Sequence, residues 1–417
     1  MMVLMFFPAV ASASRVISLD ELPRLVRSNS PALTAARAEI RIKKIELMRP
    51  LWNFLPGLEI GYSGGWNDPD PNPAAYGWTH GFGLSSSWSP IENATRFYQF
   101  RIAQENLAQS EIGLQITENE KVASALSLYW DAISAWMLYE TALSNESVSR
   151  TGLDFLEAQK ELGRVPELEV LSGRADYDNA QYETAKALTD WQLLLVELGI
   201  ATGLTDVCPD LSVLDRQLPG EIAPMLSGGT NRPLELLQKD SALRILRIQR
   251  EDAFRQRVLP SVRVSSTMDW WSTDYKMKKW TTDGFKPGLS FSVSYPLFER
   301  NEYLDQIRVN DLKLKAGEAE REGRSQALVS EYDAAVKRFA ANAALLPIAI
   351  RRLESAQIAV ESLRESSRLG ITPLMDLLQA EKDLRSQRID LIKLRIYLLK
   401  LRTDLGKKTG DPLRFLK

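Results

Sequence analysis

The sequence predicts a membrane β-barrel joined to long α-helical coiled coils, with four strands per chain and two structural repeats. Three observations carry this. Residues 163–203 and 370–410 are one segment written twice: Gly163-Arg-Val-Pro-Glu-Leu-Glu169-Val-Leu171 aligns with Gly370-Ile-Thr-Pro-Leu-Met-Asp376-Leu-Leu378, and Thr202-Gly203 with Thr409-Gly410, both at an offset of 207. Short segments of each half alternate large apolar residues with serine or glycine. Long stretches of each half keep a helical apolar period. An offset near 207 is too long for a solenoid repeat, so the chain is read as two similar halves.

The boundaries follow from that doubling. They are a leader at 1–13, a first repeat at 14–203, a linker at 204–232, a second repeat at 233–410 and a tail at 411–417. The first repeat holds a strand hairpin near 57–89 and a helical hairpin at 91–203 with its tip at 163. The second holds a strand hairpin near 261–295 and a helical hairpin at 298–410 with its tip at 370.

Met1 to Val10 is almost wholly apolar and is followed by Ala11-Ser12-Ala13, the pattern of a secretory signal and its cleavage site. No later stretch reaches the ~18–20 uncharged apolar residues that a membrane helix needs. Membrane residence, if any, is therefore expected through strands. A net charge of −2 and a pI near 5.9 argue against nucleic acid as a partner. Cys208 is the single cysteine, so no intrachain disulfide is possible.

In each half a helical segment runs first, Leu22 to Phe54 and Leu234 to Val258, and ends at Leu55-Pro56 or Leu259-Pro260. Proline stops a helix and is tolerated at a strand entry. The period then changes to two. Leu58, Ile60 and Tyr62 alternate with Gly57, Glu59 and Gly61, and Phe82, Leu84 and Trp88 alternate with Gly83, Ser85 and Ser87. Val262 and Val264 do the same in the second half, and Leu289-Ser-Phe291-Ser-Val293-Ser-Tyr295 is the clearest case. Such alternation also suits a soluble strand lying on a core. Serine on one face and large apolar residues on the other suit a wet lumen and a lipid exterior. Six of the ten tryptophans, Trp66, Trp78, Trp88, Trp270, Trp271 and Trp280, fall in these hairpins, as in the aromatic girdle at a membrane–water boundary.

After Ser89-Pro90 and Tyr295-Pro296 each half turns helical again. Arg96 to Leu162 contains no proline, and at 1.5 Å per residue it would extend roughly 100 Å. Val122, Leu126, Tyr129, Ile133 and Trp136 recur at coiled-coil spacing, as do Tyr332, Val336, Phe339 and Ala343. Pro347 is expected to bend the second of these helices. Gly163 and Gly370 suit a helix C-cap, and Pro166 and Pro373 the start of the returning helix. Four strands cannot close a membrane barrel, and an open edge in lipid leaves backbone groups unpaired. Hairpins placed in a membrane thus require several copies; three would supply 12 strands.

This order of parts, carried out twice, resembles the TolC-type outer-membrane efflux proteins (outer-membrane factors). The residues that carry the resemblance are Leu162-Gly163 with Val170-Leu171 and Leu369-Gly370 with Asp376-Leu377-Leu378. Asn29-Ser-Pro31-Ala-Leu33 and Leu405-Gly406…Thr409-Gly410 add weaker marks. The resemblance implies a homotrimer: a 12-stranded barrel in outer-membrane lipid standing on an α-helical periplasmic barrel. It implies a passive exit duct for tripartite efflux or type I secretion, working with a periplasmic adaptor (membrane fusion) protein and an inner-membrane RND or ABC transporter.

It also implies site roles. The tips Leu162, Gly163, Arg164, Val165 and Arg368, Leu369, Gly370, Ile371 would dock the adaptor. Asp376 matches the acids that narrow the family's periplasmic entrance, although Gln379 stands where a further acid is common. Glu169 occupies the equivalent place in the first repeat. Asp176 and Asp383 lie seven residues beyond Glu169 and Asp376, on one helix face with each. In a trimer each becomes a ring of three carboxylates, which favours cations. An ordinary solvated helix face or helix cap also accounts for these residues.

No catalytic site, cofactor or metal is expected. His80 is the single histidine, which leaves no soft-metal cluster and no Ser-His triad. The rival reading is a periplasmic coiled-coil adaptor, which would need one helical hairpin within β domains and not two in tandem.

Overall fold

The computed structural model describes residues 15–52, 54–67, 77–212, 233–272, 285–295, 300–368 and 374–413. The expected leader, most of the linker, Trp280, and the second tip from Leu369 to Ile371 lie outside those residues. The elements in chain order are β1 (Arg15–Ile17), α1 (Leu22–Asn29), α2 (Pro31–Trp52), β2 (Gly57–Asn67), β3 (Gly77–Trp88), α3 (Pro90–Glu161), α4 (Glu167–Thr202), β4 (Val207–Pro209), α5 (Leu234–Val258), β5 (Ser261–Ser272), β6 (Phe285–Ser294), α6 (Arg300–Arg368) and α7 (Leu374–Lys408). Local chemistry explains the breaks. The single helix read over Leu22 to Phe54 is two, because Pro31 holds Ser30 extended at φ −67° and ψ 121°. The helix α6 continues through Pro347.

The chain packs as two compact units, and neither is a sequence repeat. A helical unit takes Met1–Ala35, Leu114–Leu234 and Ser325–Lys417; a sheet unit takes Ala36–Gly113 and Glu235–Arg324. Each draws on both halves of the chain.

In the helical unit four of the five expected seam residues enter the core, whereas Trp136 is only partly buried and packs its ring 4.6 Å from that of Trp191. Val122, Leu126, Tyr129 and Ile133 of α3 are buried together with Trp130, Leu198 of α4, and Ile392, Ile396 and Leu399 of α7. Burying an aromatic side chain such as Trp130 removes roughly 200 Å² from water, worth about 5 kcal/mol at ~25 cal/mol per Å². Its indole Nε1 donates to Thr403 Oγ1 at 3.4 Å. A second cluster joins Ala335 and Phe339 of α6 to Leu398 and Leu405 of α7, with Tyr332, Val336 and Ala343 packed against it.

Two strands were not legible in the sequence. The three-residue β1 pairs in parallel with β4, which lies in the segment read as linker. Ile17 of β1 and Val207 of β4 enter the main core. Tyr129 holds this pair from beneath. Its hydroxyl lies 3.2 Å from the Ile17 carbonyl and 3.3 Å from the Asp210 carbonyl, and it accepts the Asp210 N–H at 3.1 Å. Burial pushes the Tyr129 phenol pKa well above its ordinary value. Nearby, Gly203 caps α4 at φ 69°, a left-handed conformation suited to glycine. A Cβ there would lie 2.6 Å from that of Asn29, whose Nδ2 donates to the Thr202 carbonyl at 2.8 Å.

In the sheet unit, α5 is gripped largely by charge. Lys239–Glu320, Arg247–Glu318, Arg250–Asp311, Arg321–Asp240 and Arg324–Glu235 link it to α6. Arg101–Glu251 and Arg244–Glu105 link it to α3. Most of these pairs are exposed and individually weak. The Glu105 node differs: its Oε2 accepts both Arg244 Nε and the Oγ of Ser241 at 2.9 Å, and Ser241 is fully buried.

Two outcomes follow. Tyr129→Phe removes the hydroxyl shared by Ile17 and Asp210 but leaves the Asp210 N–H donating to the Ile17 carbonyl at 3.1 Å, and should lower stability by about 1 kcal/mol, measured by denaturant titration. Glu105→Ala should cost about 1–2 kcal/mol, and Lys239→Ala less than about 0.5 kcal/mol, by the same assay.

Candidate functional site

The sheet is four-stranded and antiparallel in the order β2-β3-β5-β6, which leaves β2 and β6 as its edges. The register sorts its residues by face. Leu58, Ile60 and Tyr62 lie opposite Ser86, Leu84 and Phe82. Leu84 lies opposite Met268, Phe82 opposite Trp270, and Trp88 opposite Val264. Trp270, Val264 and Val262 lie opposite Phe285, Phe291 and Val293. All these belong to one face, and the chain leaves it bare: Ile60 is 77% exposed and Leu289 81%. Val262 to Trp270 is eight residues, about 27 Å at 3.4 Å each, comparable to the ~25 Å apolar band of a membrane barrel.

The other face carries Ser63, Ser85, Ser87, Ser265, Thr267, Ser290 and Ser292, with glycines at 57, 61, 81, 83 and 288. Ser265 and Ser290 hydroxyls meet at 2.6 Å and those of Ser261 and Ser294 at 2.9 Å. Charges on this face are balanced: Glu59 and Asp269 against Arg263 and Lys286, with Asp269 directly opposite Lys286. One face is thus fit for hydrocarbon and the other for water. The register also reveals a row that sequence reasoning missed: Tyr62, Phe82, Trp270 and Phe285 stand side by side across all four strands. Tyr62 and Phe82 rings lie 5.0 Å apart, and Trp270 and Phe285 rings 4.9 Å apart. Alternation put each on the apolar face, but only strand pairing aligns them. Of the expected girdle, Trp270 lies in this row and is 37% exposed; Trp88 lies six residues down β3 from Phe82 and is 43% exposed. Trp66 pairs in register with Trp78. The side chains of Trp66, Trp78, Trp271 and His80 lie outside the described residues.

At the first tip, α3 ends in a Schellman turn. Gly163 adopts φ 68°, its N–H donates to the Lys160 carbonyl at 2.9 Å, and the Arg164 N–H donates to the Gln159 carbonyl at 3.0 Å. Lys160 and Glu167 pair at 3.1 Å across the turn. Leu162, Leu168 and Leu171 stay exposed. An apolar rim on a rigid, tight turn is therefore presented to solvent. Arg164 is exposed beside it and Val165 partly so. Glu169 lies in the first turn of α4, where the helix dipole favours a carboxylate.

The four acids are exposed but do not form one site. Glu169 and Asp176 line a cavity of ≈ 500 Å³ among α3, α4, α6 and α7, together with Gln379. Asp383 lines a separate groove with Arg351 and Arg352, and accepts from Gln379 Nε2 at 3.2 Å. Asp376 lies in the first turn of α7 and lines neither. Before Leu391 no described residue of α7 is buried. Among the described residues there is no cluster able to hold a metal ion and no helix long and apolar enough to cross a membrane.

Comparison with known proteins places these features. Residues 236–410 match the outer membrane efflux protein family. A search of curated proteins returns no match. Among solved structures, the chain is similar to CusC, with 16% identity over 94% of this chain and 92% of that one and a TM-score of 0.80. The Campylobacter jejuni CmeC outer membrane channel gives 14% identity over 94% and 85%, with a TM-score of 0.80. VceC from Vibrio cholerae gives 15% identity over 94% and 96%, with a TM-score of 0.79. These likenesses establish the fold over nearly the whole chain. Residues 236–410 are thus similar to the outer membrane efflux protein family, and nearly the whole chain carries the fold of the solved channel structures.

Proposed function

We propose that this chain is the outer-membrane component of a tripartite efflux or type I secretion system, a passive trimeric exit duct. The observation that carries the proposal is the two-faced sheet with its two open edges. Its bare apolar face needs lipid, and its edges need strands that the described residues do not supply. Three copies provide 12 strands, with the serine face turned to a wet lumen and the aromatic residues at the bilayer boundary. The long helices continue the duct into the periplasm.

Residues 1–13 are the export signal, and the two repeats are the sequence units of this duct. The tips at Leu162 to Val165 and Arg368 to Ile371 receive a periplasmic adaptor protein, supported at the first tip by the exposed leucines on a rigid turn. An inner-membrane RND or ABC transporter supplies the energy. Asp376 lines the closed entrance, and Glu169, Asp176 and Asp383 add negative potential near it.

The full chain should appear in outer-membrane fractions as a trimer that resists detergent and dissociates on boiling. Recovery without detergent as a stable, water-soluble monomer would overturn the duct. Asp376→Ala should raise or alter single-channel conductance in planar bilayers; unchanged conductance and cation preference would remove Asp376 from the entrance while leaving the duct intact.

A further inference from the structure

The ≈ 500 Å³ cavity of the helical unit has a feature that a duct does not require. Three cations of α7, Lys382, Arg385 and Arg388, line it at successive turns of the helix. None of the three makes a hydrogen bond or ion pair with another described residue. Arg364 lines the same cavity and is satisfied, because it pairs with Glu381 at 3.0 Å. Glu183 acts on Arg385 only from a distance, and burial pulls the Arg385 pKa below its ordinary value. A half-buried guanidinium without a partner is costly, and a bound counter-anion removes that cost.

The rest of the lining limits what the anion is. Leu153, Leu156 and Leu378 make an apolar floor, and Ser149 and Ser172 offer hydroxyl donors. The volume lies within the ~300–1,000 Å³ of small-molecule sites. Guanidinium groups bind planar oxyanions through paired N–H donors. Glu169 and Asp176 line the cavity from α4, exposed to water and unpaired with these cations.

We infer that this cavity is a binding site for a small organic anion, a carboxylate or sulfonate on an apolar body, held by Lys382, Arg385 and Arg388. The anion seats against the leucine floor and ties α7 to α3 and α4. Those are the helices that bear the proposed entrance acids, so occupancy regulates their separation. The cavity lies within one chain, and binding does not depend on the proposed assembly.

The test is calorimetric titration of the purified full chain with naphthalene-1,5-disulfonate, alongside benzyltrimethylammonium as a cation of similar body. The disulfonate should bind with micromolar affinity. Arg385→Gln and the more exposed Arg388→Gln should each weaken it at least about tenfold, the loss of one charge-assisted hydrogen bond, with unchanged thermal unfolding. Absence of binding at millimolar disulfonate would overturn the site. So would equal affinity in wild type and both variants, or binding of the cation alone.

Discussion

The constraint on which the rest depends is that one face of a four-stranded sheet is apolar and no described residue of its own chain covers it. A soluble sheet of this composition would carry a helix layer against Ile60, Leu289 and Phe291; here those side chains stand bare. The opposite face cannot serve as a core either, since it is built of serine, threonine and glycine with balanced charges. On the proposed reading both faces are solvated, each by a different medium. A sheet placed between lipid and water must also satisfy its edges, and β2 and β6 have no further neighbour among the described strands. On the proposed reading, oligomerisation is a demand of backbone hydrogen bonding before it is a matter of side-chain contact.

The two units solve the folding of a long, repeated chain differently. The helical unit relies on a dense apolar cluster drawn from four stretches distant in sequence, and the Tyr129 hydroxyl bonds the backbone of Ile17 in β1 and of Asp210 just after β4. The sheet unit fastens α5 with ion pairs on two flanks and buries few side chains of that helix. Each unit mixes both halves of the chain, so the compact units do not coincide with the sequence repeats.

The acidic residues show how spacing and packing diverge. A separation of seven residues places Asp383 beneath Asp376 on one helix, and Asp176 beneath Glu169 on another. Packing then gives them different surroundings: a cavity for Glu169 and Asp176, a groove beside Arg351 and Arg352 for Asp383, and open solvent for Asp376. Helical periodicity is a property of one element, whereas a site needs at least two.

The sequence by itself determined whatever depends on near neighbours along the chain. The strand alternation, the seam through Val122, Leu126, Tyr129 and Ile133, and the left-handed glycine at 163 are local consequences of side-chain size and backbone freedom. Tertiary structure alone decided the features made by distant partners. The aromatic row of Tyr62, Phe82, Trp270 and Phe285 required the register of four strands. The three-residue strands β1 and β4 were too short to show a period and exist only because each supplies the other's hydrogen bonds. The unpaired cations of α7 look like any solvated helix face in sequence; whether a charge has a partner is settled by what packs opposite it.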